Sequence, residues 1–250
     1  MQTRSSLIVP AMLFGAVVLG ACGTTPAEDR ARITFPARQD FPEGARGVDT
    51  LSPGPRTYAL ESDLERSHLY VQIFSASLGH DHVVRATRWD GSIQFDPANL
   101  AGCAVSVTVA VEGLDPERDE MRDLIGQDRV SGSDRDQIRE HLRGEEQLNL
   151  AKYDTLQFTS TSCELMGERG AAGAAQVSVR GDLTVRGVTR EVSLPLEVAL
   201  DEERVAARGA LTARHQDFGF EPYSMVGGLF KNKDELYFVF DVRGKRVSGR

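Results

Sequence analysis

Apolar and polar residues alternate along most of the chain after residue 58. The alternation is clearest over Leu69–Ile73, in the valines of Val105–Val111 and over Val192–Leu200. A period of two is typical of β-strands that place one face on a core. Turn-forming steps such as Asp90-Gly91 separate the runs. Many short strands divided by turns predict an all-β fold, with antiparallel strands in a sandwich or a barrel.

One stretch, 115–150, departs from the alternation and carries many charges. Ile138 and Leu142 lie four residues apart and would share one face of a short amphipathic helix. Ser133 precedes them as a candidate N-cap. The pattern predicts a short helical excursion between two strands, of a size to cover one barrel end. The alternative is a charged surface loop without such a role.

The N-terminus has the parts of a secretory signal. Arg4 precedes an apolar run, Leu7–Leu19, which is short for a membrane span and is interrupted by Pro10. An ordinary cleaved signal and a transmembrane anchor are the alternatives to the lipoprotein signal described next.

The end of this signal, Leu19-Gly20-Ala21-Cys22, resembles the lipobox of bacterial lipoproteins. The resemblance implies that residues 1–21 are removed as a lipoprotein signal peptide and that Cys22 is lipidated. Gly23 follows the cysteine where an aspartate would favour the inner membrane. We therefore expect an exported protein held by its lipid in the cell envelope, at the outer membrane and facing the periplasm.

Residues 22–57 have a composition that does not favour a core. Half of the ten prolines in the chain fall here, and no periodicity runs through the segment. Such composition predicts a flexible tether after the lipidated cysteine. An arm packed on the domain is the alternative. The remaining 58–243 suits one domain, followed by a short basic tail over 244–250.

The charge balance argues against a nucleic-acid partner. Acidic residues outnumber basic ones by 37 to 29, and the formal net charge is −8. Proteins that bind nucleic acids present basic surfaces to the phosphates. We expect one partner to be a membrane, through the lipid anchor.

Two cysteines remain after Cys22, and an even pair in an exported protein favours a disulfide. Cys103 precedes the strand at 105–111, and Cys163 ends a strand that begins near Leu156. If these strands pair antiparallel, the two cysteines face each other. We therefore predict a disulfide between Cys103 and Cys163, and two buried thiols are the alternative.

The step Gly79-His80-Asp81-His82 interrupts the alternation and carries two of the five histidines. In an extended segment, His80 and His82 point to one face and Asp81 to the other. Two imidazoles make half of a metal site, and His215 is the best third candidate. Hydrogen bonds that cap a strand end, or that hold the head group of a ligand, are the other interpretations.

No arrangement of residues predicts a catalytic centre. Ser75 and Ser77 lie near the histidines but in no G-x-S-x-G nucleophile elbow, and the cysteines are expected to pair. We therefore expect a protein that is not an enzyme.

Four segments of the chain carry short motifs, namely Asp90–Pro97, Tyr153–Ser160, Gly181–Arg190 and Asp217–Phe220. In order and spacing they resemble segments of the YceI-like family, and together they cover nearly all of 58–243. Asp154 stands in one of them where the family usually has proline. The resemblance implies a lipocalin-like antiparallel barrel of about eight strands, with a polyisoprenoid or isoprenoid quinone held in an apolar channel.

The channel implied by the resemblance needs an apolar lining and a polar mouth. We expect His80 and His82 at the mouth and no certain cofactor beyond the lipid or quinone. A metal- or haem-binding envelope protein is the alternative function, and a structural envelope module with a filled core is the second. The aromatic candidates for the lining are Tyr70, Phe74, Phe95, Phe158, Phe218 and Phe238.

Overall fold

The structure is a computed structural model that describes residues 31–34, 46–169 and 174–247. The predicted signal peptide, the predicted lipidation site Cys22 and the first part of the tether lie outside the described residues. Within the described ranges, no helix combines the length and the apolar character needed to cross a membrane.

Strands dominate the described residues, which also form two short α-helices, α1 (Asp119–Leu124) and α2 (Gly132–Arg143). This confirms the predicted all-β fold with a helical excursion. The strands in chain order are β1 (Arg56–Leu60), β2 (His68–Ser75), β3 (His82–Ala86), β4 (Trp89–Phe95), β5 (Ala104–Ala110), β6 (Leu114–Pro116), β7 (Thr155–Arg169), β8 (Ala175–Val185), β9 (Val188–Leu200), β10 (Arg204–Arg214), β11 (Ser224–Met225) and β12 (Phe230–Arg246).

Eight of the strands close into a barrel. Hydrogen-bonded neighbours follow the order β1-β4-β5-β7-β8-β9-β10-β12, and β12 also pairs with β1 to complete the ring. Every pairing in this ring is antiparallel. Closure leaves the ring without a free edge. The predicted barrel of about eight antiparallel strands is confirmed.

The long strand β12 has two neighbours on one side. Its residues 244–246 pair with β1, and 232–241 pair with β2. From β2 the sheet continues outward through β3 and β6. The loop between β2 and β3 carries His80 and Asp81, and His82 begins β3. The His-Asp-His step therefore lies on this extension and not on the eight ring strands.

The predicted basic tail is corrected at its start. Lys245 pairs with Ala59 and Arg246 with Tyr58, so both residues belong to β12. A predicted turn is also corrected, because Asp90-Gly91 lies inside β4. A Cβ at Gly91 would lie 2.9 Å from the backbone oxygen of Ser106, so glycine here permits the close approach of two strands.

Two described parts of the predicted tether pack against the domain. Ile33 is buried, and its amide donates a hydrogen bond of 2.8 Å to Oε1 of Gln72. Gln72 in turn donates from Nε2 to the carbonyl of Ala31 at 2.7 Å. Val48 is buried within a 3-10 helix over Val48–Thr50. The expectation of a flexible tether is corrected for 31–34 and 46–57, where buried contacts outweigh the proline-rich composition.

The N-cap of helix α2 lies two residues before the predicted one. Its N-cap is Ser131, whose hydroxyl accepts a hydrogen bond of 3.2 Å from the amide of Asp134, while Ser133 lies inside the helix. Leu142 packs against one buried cluster of the barrel, and Ile138 faces a cavity beside it. The apolar face predicted from these two residues is therefore turned toward the sheet.

The buried side chains of the barrel form two main clusters, and β4 runs from Trp89 in one to Phe95 in the other. The cluster with Phe95 contains the disulfide between Cys103 and Cys163, whose Cα atoms are 5.8 Å apart. The cluster with Trp89 lies toward β3, β6 and α2. The space between the two clusters is the interior of the barrel.

Candidate functional site

A cavity of about 130 Å³ lies inside the barrel, and we call it the barrel cavity. Members of both buried clusters line it, among them Leu194 and Val185. Tyr70 and Gln157 are the residues of polar type among those that line it, and the ring of Tyr70 packs in a separate buried cluster with Val83 and Met121. A cavity walled by aliphatic groups excludes water and favours an apolar occupant.

A second cavity of about 280 Å³ lies between the β2–β3 loop, helix α2 and the start of β12, and we call it the histidine cavity. His80, His82 and His141 line it together with apolar residues such as Ile138. Val84 lines both cavities, so the apolar interior adjoins a chamber with a mixed lining.

The structure places three of the six aromatic candidates at the barrel cavity. Tyr70, Phe158 and Phe238 line the barrel cavity. The other three candidates are not part of this lining, because of where they lie relative to the ends and faces of the sheet. Phe74 lies under the guanidinium of Arg32, Phe95 stacks on Tyr58, and Phe218 is buried in a 3-10 helix after β10.

His80 and His82 share a face, and their ring centroids are 4.7 Å apart. Asp81 turns the other way and accepts a hydrogen bond of 2.9 Å from the amide of Ser75. Nε2 of His80 is buried and has no hydrogen-bond partner among the described residues. Burial, and then the proximity of His82, lower the pKa of His80 below its usual value. His80 is therefore a neutral imidazole at pH 7, with a ring nitrogen free for a ligand.

Glu117 fixes the orientation of the His82 ring. Its Oε1 lies 2.8 Å from Nδ1 of His82, and its Oε2 accepts a hydrogen bond of 2.6 Å from Arg122. The Glu117 side chain is fully buried. Burial alone would raise the pKa of this carboxyl, but His82 and Arg122 outweigh it and the pKa is lowered. The carboxylate is therefore charged and orients the imidazole of His82.

The backbone at Glu117 is strained, with φ at +59°. A left-handed conformation at a residue other than glycine costs about 1–3 kcal/mol and persists where surrounding contacts fix it. Arg122 supplies contacts of this kind, since it binds the carboxylate of Glu117 and also donates from Nη1 to the carbonyl of Asp81 at 3.0 Å. The strained residue, the arginine and the histidine loop thus form one connected unit.

His215, the predicted third metal ligand, does not join His80 and His82. Its ring packs edge-on against Phe220, and its Nδ1 lies 3.2 Å from the backbone oxygen of Asp234. The histidine follows the last residue of β10, whose partner at that end is β12, so the ring is held under a different loop. Among the described residues, the group that brings possible ligand atoms within 4.8 Å of one another is His80, His82 and Glu117.

Glu117 and His141 were not among the site residues predicted from the sequence. Glu117 lies in a charged stretch without periodicity, and no local pattern marks a glutamate that a buried arginine will neutralise. His141 could have been found, because it lies three residues after Ile138 and so on the same helix face. Its ring centroid lies 5.1 Å from that of Tyr223 at the edge of the histidine cavity.

A family model for the YceI-like domain matches residues 61–242. Protein YceI of Escherichia coli O157:H7 is 32% identical over 133 residues, which are 53% of this chain and 57% of that protein. A UPF0312 protein of Vibrio cholerae serotype O1 is 26% identical over 166 residues, 64% of this chain and 76% of that protein. The chain thus spans little more than half the length of the Escherichia coli relative.

The fold is similar to that of BcnA from Burkholderia cenocepacia, whose crystal structure aligns with a TM-score of 0.53. The alignment covers 73% of this chain and 99% of BcnA, at 18% sequence identity. This likeness concerns the fold, whereas the family model matches most of the chain in sequence. The closed barrel, the matched range and the relatives agree, and the chain belongs to the YceI-like family.

Proposed function

We propose that this protein binds an isoprenoid-type lipid, a polyisoprenoid or an isoprenoid quinone, and carries it without chemical change. The observation that supports this most is the apolar barrel cavity, which adjoins the histidine cavity at Val84. An apolar chain gains about 0.8 kcal/mol for each methylene that leaves water. Binding of this kind needs no catalytic group.

The head group of the ligand is proposed to lie in the histidine cavity. His80 presents a buried nitrogen without a partner there, and the tautomer can adapt so that an N–H faces the ligand. A quinone carbonyl is an acceptor that would satisfy such a donor. The site therefore suits an uncharged, oxygen-bearing head group next to an apolar chain.

The proposed setting is the cell envelope, with Cys22 lipidated at the outer membrane and the domain in the periplasm. The lipobox-like sequence before Cys22 supports this proposal. Mass spectrometry of the mature N-terminus tests it, because a diacylglyceryl group on Cys22 is the expected modification. An unmodified Cys22 in the exported protein would contradict it.

Ligand binding can be followed through Trp89, the one tryptophan of the chain, which packs in a cluster that borders the barrel cavity. We expect decylubiquinone to quench Trp89 fluorescence saturably after lipid has been removed from the protein. Val107→Phe fills the cavity and should weaken binding by about tenfold, or 1.4 kcal/mol. Thr108→Phe is the matched control, because neighbouring residues of a strand face opposite sides. Equal binding by both variants would contradict the proposed location.

A second candidate function is metal binding, and the cluster of His80, His82 and Glu117 favours it. Two histidines and a glutamate are a known zinc ligand set that leaves one position open. That position would face the histidine cavity, which His80 and His82 line. The ion pair with Arg122 competes, since it already neutralises Glu117.

Equilibrium dialysis against zinc, with the bound metal measured by atomic absorption, tests this candidate. Metal binding predicts one zinc per chain in the wild type and loss of it in His80→Ala. His141→Ala is the control, because His141 lines the same cavity but lies outside the cluster. A wild-type protein without zinc would remove this candidate and leave the lipid proposal standing.

A further inference from the structure

Five large apolar side chains are exposed together where the β2–β3 loop meets the β11–β12 hairpin. We call them the apolar patch. Soluble proteins expose single apolar residues commonly, but a contiguous group of this size usually marks a contact surface. The members and their exposed fractions are Leu78 at 58%, Met225 at 45%, Val226 at 60%, Leu229 at 50% and Phe230 at 42%.

Backbone hydrogen bonds hold this patch in place. The amide of Leu78 donates to the carbonyl of Leu229 at 3.2 Å, and the hydroxyl of Ser77 donates to the same carbonyl at 2.9 Å. The amide of Lys231 donates to that hydroxyl at 3.0 Å. The exposed side chains therefore belong to two loops that are bonded to each other.

The turn at the tip of the hairpin directs Val226 outward. Val226 has φ at +51°, and Gly227 and Gly228 also have positive φ values. A β-branched residue is an outlier in this region of backbone space. The strained turn thus holds Val226 at the tip of the hairpin with its side chain 60% exposed.

The patch borders the mouth of the histidine cavity, because Leu78, Met225 and Phe230 also line that cavity. Lys231 follows Phe230 and also lines that cavity, and Lys233 lies two residues further along β12, in an otherwise acidic protein. Lys231 and Lys233 are two of the four lysines in the chain. Neither lysine has a carboxylate within 4.0 Å among the residues that the structure describes. Apolar side chains flanked by unpaired cations fit an anionic membrane surface.

We propose that the apolar patch docks on the surface of a lipid bilayer that contains anionic lipids, with the mouth of the histidine cavity against the membrane. The choice of a bilayer over a protein partner rests on the proposed lipid ligand, which could then pass between membrane and cavity without crossing water. The patch is separate from the lipid anchor, because it orients the domain and Cys22 tethers the chain.

The test places an environment-sensitive fluorophore at the patch. A Val226→Cys variant of the full chain, in which Cys22→Ser removes the anchor and leaves position 226 as the free thiol beside the disulfide, carries the probe NBD and is mixed with vesicles of equimolar phosphatidylcholine and phosphatidylglycerol. Docking predicts a blue shift of the emission on these vesicles and a smaller one on phosphatidylcholine alone. The matched control is Met166→Cys, an equally exposed position on β7 beyond the disulfide, where no shift is expected.

A second substitution, Leu229→Asp in the Val226→Cys background, should reduce the shift while the melting temperature is unchanged. Absence of a shift at position 226 overturns the proposal, even if a lipid copurifies with the protein. A shift that appears without vesicles and grows with protein concentration also overturns it, because that result identifies a second copy of the chain as the occupant.

Discussion

Glu117 links three parts of the molecule at the scale of single residues. It orients His82, it neutralises the buried Arg122, and its strained backbone joins β6 to α1. Removal of one partner of a buried ion pair is strongly destabilising, because the other charge then stays buried without a counter-charge.

The substitution Glu117→Gln should therefore lower the free energy of unfolding by about 3–5 kcal/mol, since it leaves Arg122 buried without a counter-charge. The control is Asp136→Asn, which breaks the exposed pair with Arg139 and should cost at most about 1 kcal/mol. Urea unfolding followed by circular dichroism gives both values. Equal losses in the two variants would show that the buried pair has no special role.

Two histidine rings, the half-buried ring of His80 and the buried ring of His215, make the free energy of unfolding depend on pH. Burial lowers the pKa of His80 and of His215 in the folded protein. The unfolded chain binds these protons near a pH of about 6.5, whereas the folded protein binds them only at lower pH. Protonation then favours the unfolded state, so their contribution to stability is present above pH 6.5 and lost as the pH falls.

We expect urea midpoints of the wild type to fall between pH 7.5 and 5.5, and to fall less in His215→Asn. The comparison isolates one histidine, because the acidic residues are the same in both proteins. A variant with the same pH slope as the wild type would contradict the assignment to His215.

At the scale of elements, the disulfide joins the start of β5 to the middle of β7 across 60 residues of chain. Reduction of the disulfide removes a constraint on the unfolded chain and so raises the conformational entropy of the unfolded state. By the chain-entropy model, a closed loop of this length is worth about 4 kcal/mol.

Cys103→Ser combined with Cys163→Ser should therefore lower the free energy of unfolding by about 4 kcal/mol. The barrel cavity should keep its affinity for decylubiquinone, because neither cysteine lines that cavity. A double variant that is as stable as the wild type would contradict the entropic account.

Alternation predicted the strands well because one face of the sheet must be apolar along its whole length. It failed at two glycines that permit the close approach of neighbouring strands and do not form turns. Gly91 and Gly181 resemble turn glycines, yet both lie inside strands, where a Cβ would meet the backbone of the neighbouring strand. Gly187, with φ at +73°, is a true hairpin glycine between β8 and β9. Local sequence does not distinguish these two uses.

Those parts of the candidate site that depend on neighbouring residues in the chain could be predicted from the sequence. His80 and His82 share a face, and Asp81 turns away, as predicted for an extended segment. Glu117 and Phe74 depend on distant partners, His82 and Arg32, which meet them only in the folded chain. His215 was assigned to the wrong neighbours because proximity across a barrel cannot be read from spacing.

At the scale of the whole molecule, a closed ring of strands, an extension with two histidines and an exposed apolar patch form one continuous arrangement. The barrel cavity adjoins the histidine cavity, and the apolar patch borders the mouth of the latter. A lipid carrier requires an apolar interior, a polar mouth and a surface that meets the membrane. A structural module would require none of the three.

Native mass spectrometry of the purified protein tests the central claim most directly. The account predicts a wild-type mass that exceeds the chain by that of an isoprenoid lipid or quinone, which organic extraction then identifies. The added mass should be lost in Val107→Phe and kept in Thr108→Phe. A wild-type protein without bound lipid, which also fails to take up decylubiquinone, would contradict the account and favour a structural role for the barrel.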